Sequence, residues 1–303
     1  MTNAGYQKII QLIKKRFSPT VNETFERATH GTHCQVYLSS SFVIKFREIK
    51  PTILRREGNL LAKIEHELIP KVLWQGVVSN KIVIIENRLP GKTLDEQWKF
   101  MTAHDKKRVV NDLVEFLKFI RTNKNDRIYS VSSGKQFVNF YDYLTDGLQK
   151  KISRIRRNPE ARTKLEKTTN VIFAPDARKL FNSTTKPQLV HGDLINHNLL
   201  TNGKTLTGVL DWELATYGDP EYDIFRLKYY QECAQAYVEQ GTDISYEADF
   251  MREFMQSINS SHIVKNIQIF ERKYEIARAI FRVNALHWAT TSSNPDKNVR
   301  EVL

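Results

Sequence analysis

The chain has 303 residues, an ordinary apolar content of 41% with 16 Phe and 12 Tyr, and a formal net charge of +12. That is enough for one large or two small globular domains with a substantial core, and no apolar run approaches the roughly 20 residues that span a bilayer, so no membrane partner is expected. The charge raises nucleic acid as a partner, but no nucleic-acid-binding motif accompanies it, and the excess is compatible with attracting a nucleotide triphosphate.

The opening residues place Ile9, Ile10, Leu12, Ile13 and Phe17 among lysines at helical spacing. This reads as an amphipathic surface helix, without the small-residue cleavage pattern of a signal peptide. Ser18-Pro19 breaks it. Val21 to Thr29, Cys34 to Leu38 and Phe42 to Phe46 read as three consecutive antiparallel strands, with turns at His30 to His33 and Ser39 to Ser41. Lys45 stands in the third, otherwise apolar strand, on the same face as Val43. A charge on a burial-prone strand requires a counter-charge, unless Lys45 faces solvent at a sheet edge. The predicted helix Ile53 to His66 supplies Glu57, with Glu65 and Glu67 less well placed near its end. A strand begins at Pro70 to Leu73, and the β-prone run Lys81 to Arg88 follows. Leu89-Pro90-Gly91 ends that run and marks the expected boundary between domains 1–88 and 89–303.

From His104 the pattern turns helical, with Val109, Leu113, Phe116, Leu117 and Ile120 on one face. Tyr141 to Ile155 is a second helical segment, interrupted at Asn158-Pro159, and Arg162 to Phe181 carries no clear period. The basic residues are densest here, from Lys150 to Lys167, and read as a solvated helical face. Asp219 followed by Pro220 looks like an N-cap and first helical position. Tyr246 to Ile258 and Ile267 to Trp288 are further helices. Cys34 and Cys233 lie far apart with no metal spacing, which fits a reduced, cytoplasmic setting.

The stretch Leu189 to Asp223 carries the chemistry. Leu199-Leu200 and Leu206 to Leu210 flank Asn202-Gly203, a strong hairpin signal. His191, Asp193 and Asn198 therefore precede one strand and Asp211 follows its partner, so the hairpin brings these polar groups to one end of a ribbon. Two carboxylates and an amide so placed suit a magnesium–phosphate site with a nearby base. His191, Asp193, His197 and Asp211 could alternatively form a transition-metal hydrolase cluster, which would leave Asn198 idle.

His191-Gly192-Asp193, Asn198 five residues on, Asp211-Trp212-Glu213, and Gly218-Asp219-Pro220 with Asp223 together resemble the aminoglycoside phosphotransferase and choline kinase family of small-molecule kinases. The resemblance covers nearly the whole chain and is weakest from Ile128 to Lys186 and after Lys228. It implies an α+β, two-lobed, protein-kinase-like fold: an antiparallel sheet with one main helix, then a larger, mainly helical lobe. The implied reaction moves the γ-phosphoryl group of ATP or GTP to a hydroxyl, with Mg2+. Asp193 would accept the hydroxyl proton, Asn198 and Asp211 would hold magnesium, and Lys45, fixed by Glu57, would hold the α- and β-phosphates. The turn at Gly31 and Thr32 would cover the phosphates, and backbone groups of Glu86, Asn87 and Arg88 would bind the purine edge. His191 and Asp223 would brace the loop.

The acceptor expected from the resemblance is a cationic small molecule, an aminoglycoside before choline, ethanolamine or another metabolite. An aminoglycoside needs several carboxylates, with Glu213, Glu232, Glu247, Asp249, Glu253, Glu271 and Glu275 as candidates. A choline-like acceptor needs an aromatic cage, with Tyr229, Tyr230, Tyr237 and Trp288 as candidates. A nucleotide-binding pseudokinase is disfavoured because Lys45, Glu57, Asp193, Asn198 and Asp211 are all present. A protein kinase is disfavoured because too few residues separate Asp211 from Asp219 for a peptide-docking loop. Nothing in the sequence sets the oligomeric state.

Overall fold

The computed structural model describes residues 7–11, 15, 24–28, 34–47, 50–157, 159–182, 185–234 and 244–291. Five strands form the first sheet: β1 (Glu26–Arg27), β2 (Gln35–Leu38), β3 (Phe42–Arg47), β4 (Val72–Val78) and β5 (Lys81–Asn87), in the order β1-β2-β3-β5-β4. All neighbours are antiparallel. β4 and β5 are joined through Ser79 and Asn80, both at positive φ (51° and 62°), the turn geometry that follows the natural twist of a hairpin.

Strand alternation decides what each face does. Phe42, Ile44 and Phe46 of β3 pack with Val83 and Ile85 of β5 and with Ile9 of α1, which is described at residues 7–11. The opposite face carries Val43, Lys45 and Arg47 beside Ile82, Ile84 and Glu86. Helix α2 (Pro51–Leu61) lies on that face, burying Leu54 against Ile82 and Ile84. The helix approaches the sheet closely at Gly58, where a Cβ would stand 1.8 Å from Gln75 Oε1. α2 starts at Pro51, whose fixed φ suits a first helical turn. It ends at Leu61 rather than at His66, and Ile64 and Leu68 reach the core from the turns that follow.

Beyond Arg88–Gly91 the chain is mainly helical. Short helix α3 (Leu94–Gln97) leads to α4 (Ala103–Ile120), which is capped by Thr102 accepting from the Asp105 N–H at 3.2 Å. The segment 141–155 divides into α5 (Phe140–Leu144) and α6 (Leu148–Ile155), followed by α7 (Pro159–Ile172) and α8 (Ala177–Leu180). α9 (Tyr222–Glu232), α10 (Ser245–Ser260) and the 25-residue α11 (Ile267–Thr291) complete the lobe. α9 begins two residues later than the Asp219-Pro220 pattern predicts. Asp219 instead accepts the Glu221 N–H at 3.0 Å within a turn and pairs with Lys273 at 2.7 Å.

Two small sheets sit in this lobe. β6 (Lys92–Thr93), β10 (Leu199–Thr201) and β11 (Leu206–Val209) form one, in the order β11-β10-β6. β7 (Ile128–Ser130), β8 (Gln136–Phe137), β9 (Gln188–Val190) and β12 (Thr216–Gly218) form the other, in the order β8-β7-β12-β9. The second sheet is unannounced by the sequence, because its strands are only two or three residues long. The result is a two-lobed α+β fold. Among the described residues, no helix is long and apolar enough to cross a membrane.

Candidate active site

The predicted hairpin forms, with Leu199 opposite Val209 and Leu200 opposite Gly208. Its turn is held by the Asn202 side chain, which accepts the N–H groups of Lys204 and Thr205, each at 2.9 Å. At the other end the Leu210 N–H donates to the Asn198 carbonyl at 2.8 Å, so Asn198 and Asp211 sit side by side.

The loop before β10 is clamped from three directions. The Asp223 carboxylate accepts the His191 N–H at 2.9 Å on one oxygen and the Gly192 N–H at 2.8 Å on the other. The fully buried His191 donates from Nε2 to the Leu210 carbonyl at 2.8 Å and stands edge-on to Trp212, with ring centroids 4.6 Å apart. That bond leaves Nδ1 to accept the Asp193 N–H at 3.3 Å, and burial lowers the histidine pKa, which favours the neutral ring. Gly192 has φ +83°, and a Cβ there would lie 2.1 Å from the Leu214 carbonyl oxygen, so only glycine fits. The Asp193 carboxylate pairs with the Arg226 guanidinium from α9. Asn198 Nδ2 donates to the Asp193 carbonyl at 2.9 Å.

Lys45 lies across the cleft from this loop. Its ammonium is 3.1 Å from Glu57 and 3.2 Å from Glu86. Burial works to lower its pKa, but the carboxylates of Glu57, Glu86 and Asp211 outweigh burial and hold it well above the usual value. Glu65 and Glu67 lie past the end of α2 and make no pair with it. Burial and the Glu57 charge, against the pull of Lys45, raise the Asp211 carboxyl to about 7. Asp211 itself adopts the left-handed conformation, with φ 64°.

A cleft of about 810 Å3 contains these groups, with Val36, Val43, Leu200 and Leu210 among its apolar lining. Asn87 and Arg88 line it too, but their N–H groups are engaged within the fold, Asn87 with the Lys71 carbonyl at 3.1 Å and Arg88 with Ser41 at 2.8 Å. Gly31 and Thr32 lie outside the described residues. The hydrolase alternative dissolves: His191 is engaged with Leu210, and His197 Nδ1 pairs with Asp95 at 2.9 Å.

Three features of the site escaped the sequence reading. Arg226 follows Asp223 by three residues, one turn on the same helical face, and that spacing could have revealed it. Glu86 continues the alternation of Ile82 and Ile84, so the counter-charge argument made for Lys45 applied equally to it. The buried Arg47 of β3 pairs with Glu213, and no local pattern signals a pair 166 residues apart.

The acidic residues expected to serve an aminoglycoside are all engaged. Glu213 pairs with Arg47, Glu232 with Arg278 at 2.6 Å, and Glu271 with Lys228 at 2.9 Å. Glu275 pairs with Arg272 at 2.8 Å, Glu253 with Arg252 at 3.3 Å, and Asp249 with Lys106 at 2.7 Å. Glu247 is buried and accepts from Asn196 at 2.7 Å. Of the aromatic candidates, Tyr229 and Tyr230 are buried, Trp288 is exposed, and Tyr237 lies outside the described residues.

A two-lobed fold with a lysine–glutamate pair facing a clamped Asp193 loop and its hairpin defines a small-molecule kinase. The chain belongs to the phosphotransferase enzyme family, whose model matches residues 24–254. No curated protein matches the sequence. Among solved structures it is similar to aminoglycoside phosphotransferase APH(2'')-Ib with ADP bound, at TM-score 0.66 and 19% identity, over 100% of this chain and 97% of that one. It is also similar to APH(2")-IIa in a ternary complex with streptomycin and ATP, at TM-score 0.66 and 20% identity over 94% and 90% of the two chains. Aminoglycoside phosphotransferase APH(4)-Ia is similar at TM-score 0.65 and 14% identity over 99% and 98%. At these identities the likeness is one of fold.

Proposed function

We propose that the enzyme transfers the γ-phosphoryl group of ATP or GTP to a hydroxyl of a small molecule, in a magnesium-dependent reaction. The observation that carries this reading is the arrangement of Lys45, Asp193, Asn198 and Asp211 around one cleft, with Lys45 fixed between two carboxylates. On this reading Lys45 holds the α- and β-phosphates, and Asp193, oriented by Arg226, accepts the proton of the acceptor hydroxyl. His191 and Asp223 hold the backbone that presents Asp193. The segment Glu86 to Arg88 borders the purine, and the division between lobes falls at 88–89.

The residues fit a magnesium ion. Asn198 and Asp211 offer oxygen donors to a hard cation, and burial together with the neighbouring Glu57 charge raises the Asp211 carboxyl to about 7, so a cation there would stabilise its ionised form. Bound there with the phosphates, the ion would neutralise their charge.

For the acceptor, the Arg226 guanidinium beside Asp193 supports a neutral or anionic hydroxyl compound. A second reading, an aminoglycoside, is favoured by the streptomycin complex of a structural neighbour. The test is phosphoryl transfer from labelled ATP to a panel of sugars, hydroxy acids, choline, ethanolamine and aminoglycosides, with products identified by mass spectrometry. Transfer to sugars or hydroxy acids supports the first reading, transfer to aminoglycosides alone replaces it with the second, and transfer to no hydroxyl compound contradicts both.

A further inference from the structure

We propose that the side chain of Glu86 reads the purine base at its six-position and makes the enzyme select adenine over guanine nucleotides. This rests on the reading that a nucleoside triphosphate fills the cleft. Glu86 is the last residue of β5 but one, on the face shared with Lys45, and its register partner on β3 is Val43. It lines the cleft yet is only 1% exposed. One carboxylate oxygen, Oε2, is 3.2 Å from the Lys45 ammonium. The other, Oε1, is equally buried and accepts no hydrogen bond from any described residue. A desolvated carboxylate oxygen in that condition is unfavourable unless a donor reaches it.

The apolar side chains of Val36, Val43, Leu200 and Leu210 line the same cleft and suit a flat base. At position six adenine carries an amino group, a donor, and guanine carries a carbonyl, an acceptor. Burial raises the Glu86 carboxyl above its ordinary value, against the pull of the Lys45 ammonium, and in its ionised form the carboxylate only accepts. The adenine amino group can therefore donate to Oε1, whereas the guanine carbonyl would set acceptor against acceptor. The donors nearby are engaged. Lys45 faces Glu57 and Glu86 and, on the proposed reading, a phosphate. The N–H groups of Asn87 and Arg88 are held by the carbonyls of Lys71 and Ser41. A guanine carbonyl turned toward this end of the cleft would find none of these free.

The test is calorimetric binding of ATP, GTP and inosine triphosphate, with magnesium, to the intact chain and to Glu86→Gln and Glu86→Leu. Inosine triphosphate isolates the six-position, because it carries the carbonyl without the guanine amino group. We expect the unaltered protein to bind ATP about 10- to 100-fold more tightly than either other nucleotide, the scale on which a hydrogen-bonding side chain discriminates one base from another. Glu86→Leu should weaken ATP binding and abolish the preference. Glu86→Gln, which keeps the shape and adds an N–H donor, should narrow it by tightening GTP and inosine triphosphate. Equal binding of the three nucleotides to the unaltered protein, or an undiminished ATP preference in Glu86→Leu, would overturn the role of Glu86. Failure of the unaltered protein to bind any of the three would overturn the underlying nucleotide reading instead.

Discussion

The Arg47 guanidinium of β3 pairs with the carboxylate of Glu213, two residues beyond Asp211. Both side chains are largely withdrawn from water, at 6% and 15% exposure. The pair ties the strand that carries Lys45 to the turn that carries Asp211. Removing one partner of a buried pair leaves a desolvated charge, at a cost of up to about 3–5 kcal/mol. Arg47→Ala should therefore lower the melting temperature and raise the KM for nucleotide. Adding Glu213→Ala should recover part of both losses, with a coupling of about 0.5–3 kcal/mol in a double-mutant cycle. Strictly additive losses would mean that the contact is energetically idle.

Lys45→Ala and Glu57→Ala should each reduce kcat/KM, and the double variant should be little worse than either alone. Groups that act as one unit are non-additive, because the second substitution removes a partner that has already lost its function. Steady-state kinetics of the four proteins would check this, and independent losses would separate the two residues.

Asp211 links metal binding to pH. Its folded pKa of about 7 exceeds the ordinary 3.8, so the metal-free fold holds this proton more tightly than the unfolded chain does. The associated stability is fully present below pH 3.8 and is lost as pH rises through about 7. A cation bound at the ionised carboxylate must displace the proton. Magnesium-dependent nucleotide affinity should therefore rise from pH 6 to pH 8, with proton release seen calorimetrically in buffers of different ionisation enthalpy. Asp211→Ala should abolish both effects. If magnesium tightens nucleotide binding to the same degree in that variant, Asp211 is not the ligand.

Asp223 satisfies two buried backbone donors at once. Asp223→Ala would leave the N–H groups of His191 and Gly192 unpaired, at about 1–3 kcal/mol each. Denaturant unfolding should show a loss of that order, together with reduced turnover from a loosened Asp193. A variant of unchanged stability would remove the clamp from the account.

The legible parts of this protein were those written in local spacing. The hairpin around Asn202-Gly203, the alternation of β3 and the place of Glu57 within the following helix, away from its end where Glu65 and Glu67 stand, led to Asp193, Asn198, Asp211, Lys45 and Glu57. Pairs that depend on tertiary approach left no such trace, as with Arg47 and Glu213 or Lys106 and Asp249. The start of α9 was misread because Asp219-Pro220 carries the chemistry of a cap and of a turn alike. The Glu221 N–H and the Lys273 ammonium settle the Asp219 carboxylate into the turn. Glu232, Asp249 and Glu271 looked available in the sequence because their cationic partners, Arg278, Lys106 and Lys228, lie on other helices.

The central claim, phosphoryl transfer assisted by Asp193, is tested most directly by pairing Asp193→Asn with the unaltered enzyme. Label transferred from ATP to the acceptor identified in the panel would be measured alongside calorimetric affinity for magnesium–ATP. A positioned general base contributes about 10²–10⁴-fold. The account predicts a loss of that size in transfer with nucleotide affinity nearly unchanged. Near-normal transfer by Asp193→Asn would contradict it.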